Sequence, residues 1–71
     1  MTIEQKLNIY MKTRGMSLMF LTKQINETPD MKNVGYEEIR KSIRDKKRPL
    51  RAHELISLLT VMRIKLEDLD V

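Results

Sequence analysis

The residues of this chain that could do chemistry are concentrated in one basic segment. Seven of the twelve positions from 40 to 51 are Lys or Arg, and Asp45 is the one acidic residue among them. A surface that only confers solubility usually mixes both signs of charge, so this cluster favours a binding site for a polyanion. A solvated surface is the alternative interpretation of the same charges. The seven residues are Arg40, Lys41, Arg44, Lys46, Lys47, Arg48 and Arg51.

The net charge of +4 over 71 residues is unevenly distributed. Residues 31–53 hold eight basic and three acidic residues, a local charge of +5. Residues 54–71 hold two basic and four acidic residues, a local charge of −2. The sequence therefore predicts a polarised molecule, with a basic central segment and an acidic C-terminal end.

Few residues suit other kinds of chemistry. The chain has no Cys and a single His, His53, which rules out disulfides and a Cys/His zinc site. Its Ser and Thr residues have no accompanying base, so no nucleophilic site is recognisable. The acidic residues 67–70 lack the glycine and the ligand spacing of a calcium loop. We expect no enzymatic activity, no cofactor and no metal.

The length of the chain suits one small domain, covering residues 1–71, with a core near the lower limit for folding without disulfides or metals. No apolar run approaches the ~20 residues that cross a bilayer. The N-terminus lacks the continuous apolar segment of a signal peptide. These features predict a cytoplasmic protein that does not associate with membranes.

The spacing of apolar residues predicts an all-α fold of five short helices and no strand. The expected helices cover about residues 3–14, 17–25, 36–44, 51–62 and 65–69. Thr2 and Gln5 can form a capping box at the start of the first helix, and Gly15 is suited to end it. Residues 26–33 contain Pro29 and are predicted to form the longest loop.

The apolar faces of these helices predict which side chains are buried. The fourth helix is apolar on much of its circumference and should be the most buried. Ile39 and Ile43 should fix the inward side of the third helix. Tyr10 and Phe20 should also be buried, which leaves few aromatic rings to stack on bases and disfavours RNA binding.

The order and spacing of these elements resemble the Cro/cI-type (XRE) helix-turn-helix family of lambda-repressor-like DNA-binding domains. The segment KRPLRAHEL, residues 47–55, looks like the part of that family that follows the recognition helix. RGMS, residues 14–17, resembles the start of helix 2, and NVGYEEI, residues 33–39, resembles the turn into the recognition helix. Residues 55–69 are similar to the two closing helices, so the resemblance covers about residues 3–69.

The chain also departs from the family pattern. The turn between helices 2 and 3 is extended here, whereas the usual turn has about three to four residues. Leu18 stands where the family commonly has a Gln that contacts phosphate. Asp45 or Lys46 stands where a glycine follows the recognition helix, and Arg63 stands where a glycine separates the last two helices.

The resemblance implies a compact five-helix domain that binds double-stranded DNA as a transcriptional regulator, such as a phage- or prophage-like repressor. The third helix, residues 36–44, would enter the major groove, where Arg can read guanine and Glu can read cytosine. Glu37 and Arg40 are the best candidates for base reading, and the basic loop at residues 46–51 suits phosphates. Acidic residues in a first helical turn also complement the helix dipole, which is the alternative role of Glu37. The expected DNA-binding residues are Tyr36, Glu37, Arg40, Lys41, Arg44, Lys46, Lys47, Arg48 and Arg51.

A second hypothesis is a protein–protein adaptor or antirepressor on the same fold, which binds an acidic protein partner. The long loop at residues 26–33 and Leu18 favour it, because both depart from the usual DNA interface. For the DNA-binding hypothesis we expect a homodimer, since one small module gives little specificity. The fifth helix and the chain end at Val71 are the predicted dimer surface.

Overall fold

The computed structural model describes residues 1–69, which form four α-helices and one short 3₁₀ turn. The helices are α1 (Ile3–Thr13), α2 (Leu18–Glu27), α3 (Tyr36–Ile43) and α4 (Ala52–Met62), and the 3₁₀ turn covers Leu66–Leu69. No strand occurs within residues 1–69, so the all-α prediction is confirmed for the described part of the chain.

The prediction of a fifth α-helix is wrong. Arg63 ends α4 in a left-handed conformation, with φ of 58°, and the Ile64 N–H bonds back to the Leu59 carbonyl oxygen. The last element of the described chain has only four residues, and they form a 3₁₀ turn. The Lys65 N–H donates to the Asp68 carboxylate at 2.8 Å, which stabilises this short turn.

Helix α1 starts where the predicted capping box of Thr2 and Gln5 places its start. The Thr2 hydroxyl oxygen accepts from the Gln5 N–H at 3.2 Å, and the Gln5 side-chain oxygen accepts from the Thr2 N–H at 2.8 Å. This reciprocal capping box satisfies two backbone donors that the helix itself leaves unpaired. Gly15 follows the helix with φ of 66°, a conformation that glycine adopts without steric cost.

The extended connection between α2 and α3 is closed at its base by one side chain. α2 continues to Glu27, about one half-turn beyond its expected end, and stops just before Pro29. The Asn26 amide nitrogen donates to the Val34 carbonyl oxygen at 2.9 Å, and the Val34 N–H donates to the Asn26 amide oxygen at 2.8 Å. This pair of hydrogen bonds fixes where the chain enters α3.

The core is built from the facing sides of the helices. α2 packs on α3 and α4, while α1 packs on α3 and the 3₁₀ turn. α2 and α4 each bury four residues, but α4 leaves only three of its eleven residues exposed, whereas α2 leaves six of its ten exposed. This agrees with the prediction that α4 is the most buried helix, although its Ile56 is 62 % exposed. The buried apolar residues are Leu7, Met11, Leu18, Leu21, Ile25, Val34, Ile39, Ile43, Leu58, Met62 and Leu69.

The prediction that Phe20 is buried is wrong, because its side chain is 56 % exposed. Leu18, Leu21 and Ile25 occupy the inward side of α2, and Phe20 lies on the outer side of the same helix. Tyr10 is half-buried, and its ring centroid lies 4.8 Å from the Arg14 guanidinium carbon. Within residues 1–69, no helix has the length and apolar character needed to cross a membrane.

Candidate nucleic-acid interface

Helix α3 is anchored along one side, and this decides which of its residues face solvent. Ile39, Ser42 and Ile43 are completely buried against the core. The Ser42 hydroxyl donates to the Glu38 carbonyl oxygen at 3.3 Å, so its polar group is satisfied inside the helix. The opposite side of the helix and its C-cap carry the charged residues Glu37, Arg40, Lys41 and Arg44.

The two predicted base readers form an ion pair with each other. Arg40 Nη2 donates to Glu37 Oε2 at 2.8 Å, and Arg40 Nη1 lies 3.9 Å from Asp45 Oδ2. The pKa of Arg40 is raised above its ordinary value, chiefly by the hydrogen bond to Glu37. This side chain therefore remains charged throughout the physiological range. The Arg40 side chain is 38 % exposed and is therefore accessible to a ligand.

Arg48 has an internal role that the charge pattern does not predict. Its Nη1 and Nη2 atoms donate to the two carboxylate oxygens of Glu54 at 3.0 and 2.8 Å, and its Nε lies 3.4 Å from Glu38 Oε2. The Arg48 side chain is 19 % exposed and the Glu54 side chain only 2 %. Arg48 thus links the basic loop to both α3 and α4, and its guanidinium is already occupied by carboxylates of the same chain.

The Glu54 carboxylate accepts hydrogen bonds from more than one residue. It also accepts from the Arg51 N–H at 2.8 Å, at the start of α4. Burial raises the pKa of the Glu54 carboxyl, but the Arg48 and Arg51 hydrogen bonds and the nearby positive charge lower it more. The net result is a pKa of Glu54 below its ordinary value, so the carboxylate is charged at neutral pH.

The basic loop is held to the body of the domain at a second point. The Leu50 N–H donates to the Glu4 carboxylate of α1 at 2.8 Å. The lysines of the loop and the first turn of α1 line one shared surface groove. Two buried or half-buried carboxylates, from α1 and α4, therefore fix the backbone of the segment that carries Lys46, Lys47 and Arg51.

Four predicted site residues remain exposed without an ion-pair partner within residues 1–69. Arg44 follows α3, while the other three lie in or directly after the loop. Lys41 lies 3.9 Å from Glu38 Oε1, a weak surface contact, and Tyr36 is half-buried against the core. Six of the nine predicted residues are thus exposed on one helix and loop, Tyr36 and Arg40 are partly exposed, and Arg48 bonds internally. The four exposed residues without an ion-pair partner in this part of the chain are Arg44, Lys46, Lys47 and Arg51.

Sequence reasoning missed the acidic residues that organise this surface. Glu4, Glu38 and Glu54 hold the loop, and Asp45 lies beside Arg40. The one local signal was the position of Glu54 three residues after the helix-preceding Arg51, where a capping glutamate is expected. His53 is half-buried, and among residues 1–69 no group of three acidic or His side chains could hold a metal ion.

No protein-family model matches the chain, and comparisons with curated proteins and with solved structures find no match.

Proposed function

We propose that this chain is a sequence-specific regulator that binds double-stranded DNA, acting as a phage- or prophage-like repressor. The observation that carries the proposal is the arrangement of α3: one side is buried completely, and the other presents accessible cationic residues next to a basic loop. A helix of this kind fits the major groove, where base edges can be read. The resemblance to Cro/cI-type domains supports the same role.

The exposed side chains divide into two groups. Arg40, on the solvent face of α3, is suited to base edges because Arg can bond guanine, and Glu37 is hydrogen-bonded to it. Lys46, Lys47 and Arg51 are suited to phosphates, because they extend from a loop whose backbone is fixed by carboxylates. Arg48 is left out of the proposed contacts because Glu54 occupies its guanidinium.

A salt titration of duplex binding tests the proposal. Affinity for duplex DNA should fall steeply with salt, since each neutralised phosphate contributes about −0.9 to the log–log slope. Lys46→Glu/Lys47→Glu should weaken binding and reduce that slope by about 2 units, the value for two lost phosphate contacts. Fluorescence anisotropy of a labelled duplex measures both quantities.

The matched control is Lys23→Glu/Lys65→Glu, which reverses two exposed lysines on α2 and before the 3₁₀ turn. We expect this control to retain most of the slope, because its lysines lie outside α3 and the basic loop. The proposal is contradicted if no duplex binds at low salt, or if the loop and control variants lose affinity equally.

A second candidate function, an adaptor or antirepressor for an acidic protein, is supported by exposed apolar residues. Met19 is 61 % exposed and Phe20 is 56 % exposed, and both lie on the outer side of α2. Adjacent exposed apolar residues suit contact with another protein more than contact with DNA phosphates. This function predicts co-purification with one acidic protein, loss of that partner in Phe20→Ala, and no affinity for duplex DNA.

A further inference from the structure

On the solvent side of α3, the Glu37 carboxylate hydrogen-bonds Arg40, and the Asp45 carboxylate makes a longer and weaker contact with it. Glu37 contacts Arg40 Nη2 at 2.8 Å, and Asp45 lies 3.9 Å from Arg40 Nη1. The Asp45 N–H also bonds to the Arg40 carbonyl oxygen at 3.2 Å, so Asp45 is fixed relative to the residue that its side chain attracts. The Arg40 Nε is buried and has no hydrogen-bond partner within residues 1–69. The hydrogen bond to Glu37 therefore restrains the guanidinium before any ligand arrives.

Building on the proposed DNA-binding function, we infer that Arg40 reads a guanine and that Glu37 and Asp45 are its positioning residues. A guanidinium has five N–H donors, so one carboxylate can hold an edge while other donors remain for the guanine O6 and N7 acceptors. An arginine that is already restrained loses less rotamer freedom when it binds. Glu37 then acts through Arg40, and is not a separate reader of cytosine.

The other basic residues of the segment are less suited to this task. Lys41 carries a compact point charge on a flexible stem, so its contact with a base is less directional than that of a planar guanidinium. Arg48 is occupied by Glu54. Arg44 is exposed and has no ion pair with an acidic side chain of residues 1–69, so nothing in that part of the chain sets its direction.

The position of Glu37 has a second consequence. A carboxylate on a DNA-facing surface repels phosphates, so it weakens binding to every duplex equally. If it also orients Arg40, its removal must raise affinity for arbitrary DNA while it lowers discrimination between bases. A residue that only stabilised the fold would not change these two quantities in opposite directions.

The test begins with selection of bound sequences from a random duplex pool by the full chain. Affinity is then measured at fixed salt for the selected site and for sites with each guanine replaced. At the guanine that Arg40 reads, we expect about 5- to 150-fold discrimination, which corresponds to one bidentate contact. Arg40→Met should abolish that discrimination because it removes every donor, and Glu37→Gln should reduce it at least about threefold while affinity for an unrelated duplex rises. Asp45→Asn should cause a smaller loss of discrimination, because its contact is longer.

Two comparisons distinguish an orienting role of Glu37 from a general effect of its charge. Glu67→Gln makes the same charge change at an exposed residue of the 3₁₀ turn, and should leave discrimination unchanged. In a double-variant cycle, Glu37→Gln should have no further effect on discrimination once Arg40 is Met. Thermal unfolding of each variant verifies that it is folded.

The outcomes also separate this inference from the function on which it rests. Selection that yields no bound duplex refutes both. A selected site with guanine discrimination that survives Arg40→Met or Glu37→Gln refutes the inference alone, and leaves DNA binding in place. Additive effects of the two substitutions would make Glu37 an independent reader and would also refute it.

Discussion

Arg48 and Glu54 illustrate how a charged residue in a basic segment can serve the fold. The Glu54 carboxylate is 2 % exposed, and replacing Arg48 by Ala would leave that charge buried without its main partner. Breaking such a pair from one side typically costs about 3 kcal/mol or more. We expect Arg48→Ala to lower the free energy of unfolding by about that amount, as measured by urea denaturation.

The control for this prediction replaces both partners. Arg48→Met/Glu54→Leu removes the two charges together, and apolar replacement of a buried pair is often close to neutral. The double variant should therefore be more stable than Arg48→Ala. Equal stability of the two variants would show that the pair contributes little and that the loss comes from packing.

Stability should also depend on pH through Glu54. The pKa of its carboxyl is lowered in the folded protein, the net result of burial, which raises it, and of Arg48 and Arg51, which lower it more. A carboxyl of this kind contributes stability that is fully present above the unfolded pKa, about 4.3 for Glu, and is lost as pH falls through the folded value.

Glu54→Gln tests this contribution. The variant should be less stable than the natural chain at pH 7, and the difference in urea midpoint should shrink as pH is lowered through the acid range. A difference in midpoint that is the same at pH 7 and at pH 3 would mean that the ionised form of Glu54 is not preferentially stabilised.

At the scale of the elements, α3 and α4 are both followed by a non-glycine residue in a left-handed conformation. Lys46 has φ of 55° and Arg63 has φ of 58°. The expectation from the Cro/cI-type pattern is a glycine at the position of Asp45 or Lys46 and another at that of Arg63. The left-handed conformation costs an L-residue roughly 1–2 kcal/mol. Glycine avoids this cost, but its unfolded state is more flexible, so folding loses more conformational entropy and the net gain in stability is smaller.

Glycine at either position should therefore stabilise the domain, by about 0.5–1 kcal/mol in thermal or urea unfolding. Lys41→Gly, inside α3, is the matched control and should destabilise by about 1 kcal/mol. Lys46→Gly should also weaken DNA binding because it removes a proposed phosphate contact, whereas Arg63→Gly should change stability alone. A loss of stability in Arg63→Gly would contradict the strain argument.

The sequence predicted the elements better than it predicted their connections. Thr2, Gln5 and Gly15 act on their immediate neighbours, so the limits of α1 were readable from a few residues. The contact of Glu4 with the Leu50 N–H joins positions 46 apart, and no local pattern reveals it. The same holds for the Asn26–Val34 hydrogen bonds, which order the extended turn.

At the scale of the whole molecule, the sequence showed the charge asymmetry, but it did not show which charged residues are paired inside the fold. Counting charges assigned Arg48 to phosphates because counting cannot detect that Glu54 lies behind it. Apolar periodicity likewise could not decide that Phe20 faces outward, because both sides of α2 carry large apolar residues near its start. Both questions are decided by contacts between residues that are distant in sequence, and these contacts are known only once the fold is known.

The size of the molecule bears on the proposed homodimer. Its extents are 31 × 25 × 22 Å, and recognition helices of paired helix-turn-helix domains lie about 34–36 Å apart, one turn of DNA. In the predicted homodimer, the α3 helices of the two copies would have to lie at that spacing. The predicted dimer surface comprises the last element, where Leu66 is 49 % exposed, and Val71, which lies outside the described residues.

This proposal predicts a two-fold symmetric site, with half-sites about 10 base pairs apart, among the sequences selected from a random pool. Leu66→Glu should leave binding to a single half-site intact while it lowers affinity for the symmetric site by about 100-fold, because the linked second contact is lost. Met19→Glu, an equivalent change on the exposed side of α2, is the control and should retain that affinity. Sedimentation of the complexes gives the number of copies per duplex. Selected sites without symmetry, occupied by one copy, would show that the domain binds as a monomer and that its specificity rests on one α3 helix.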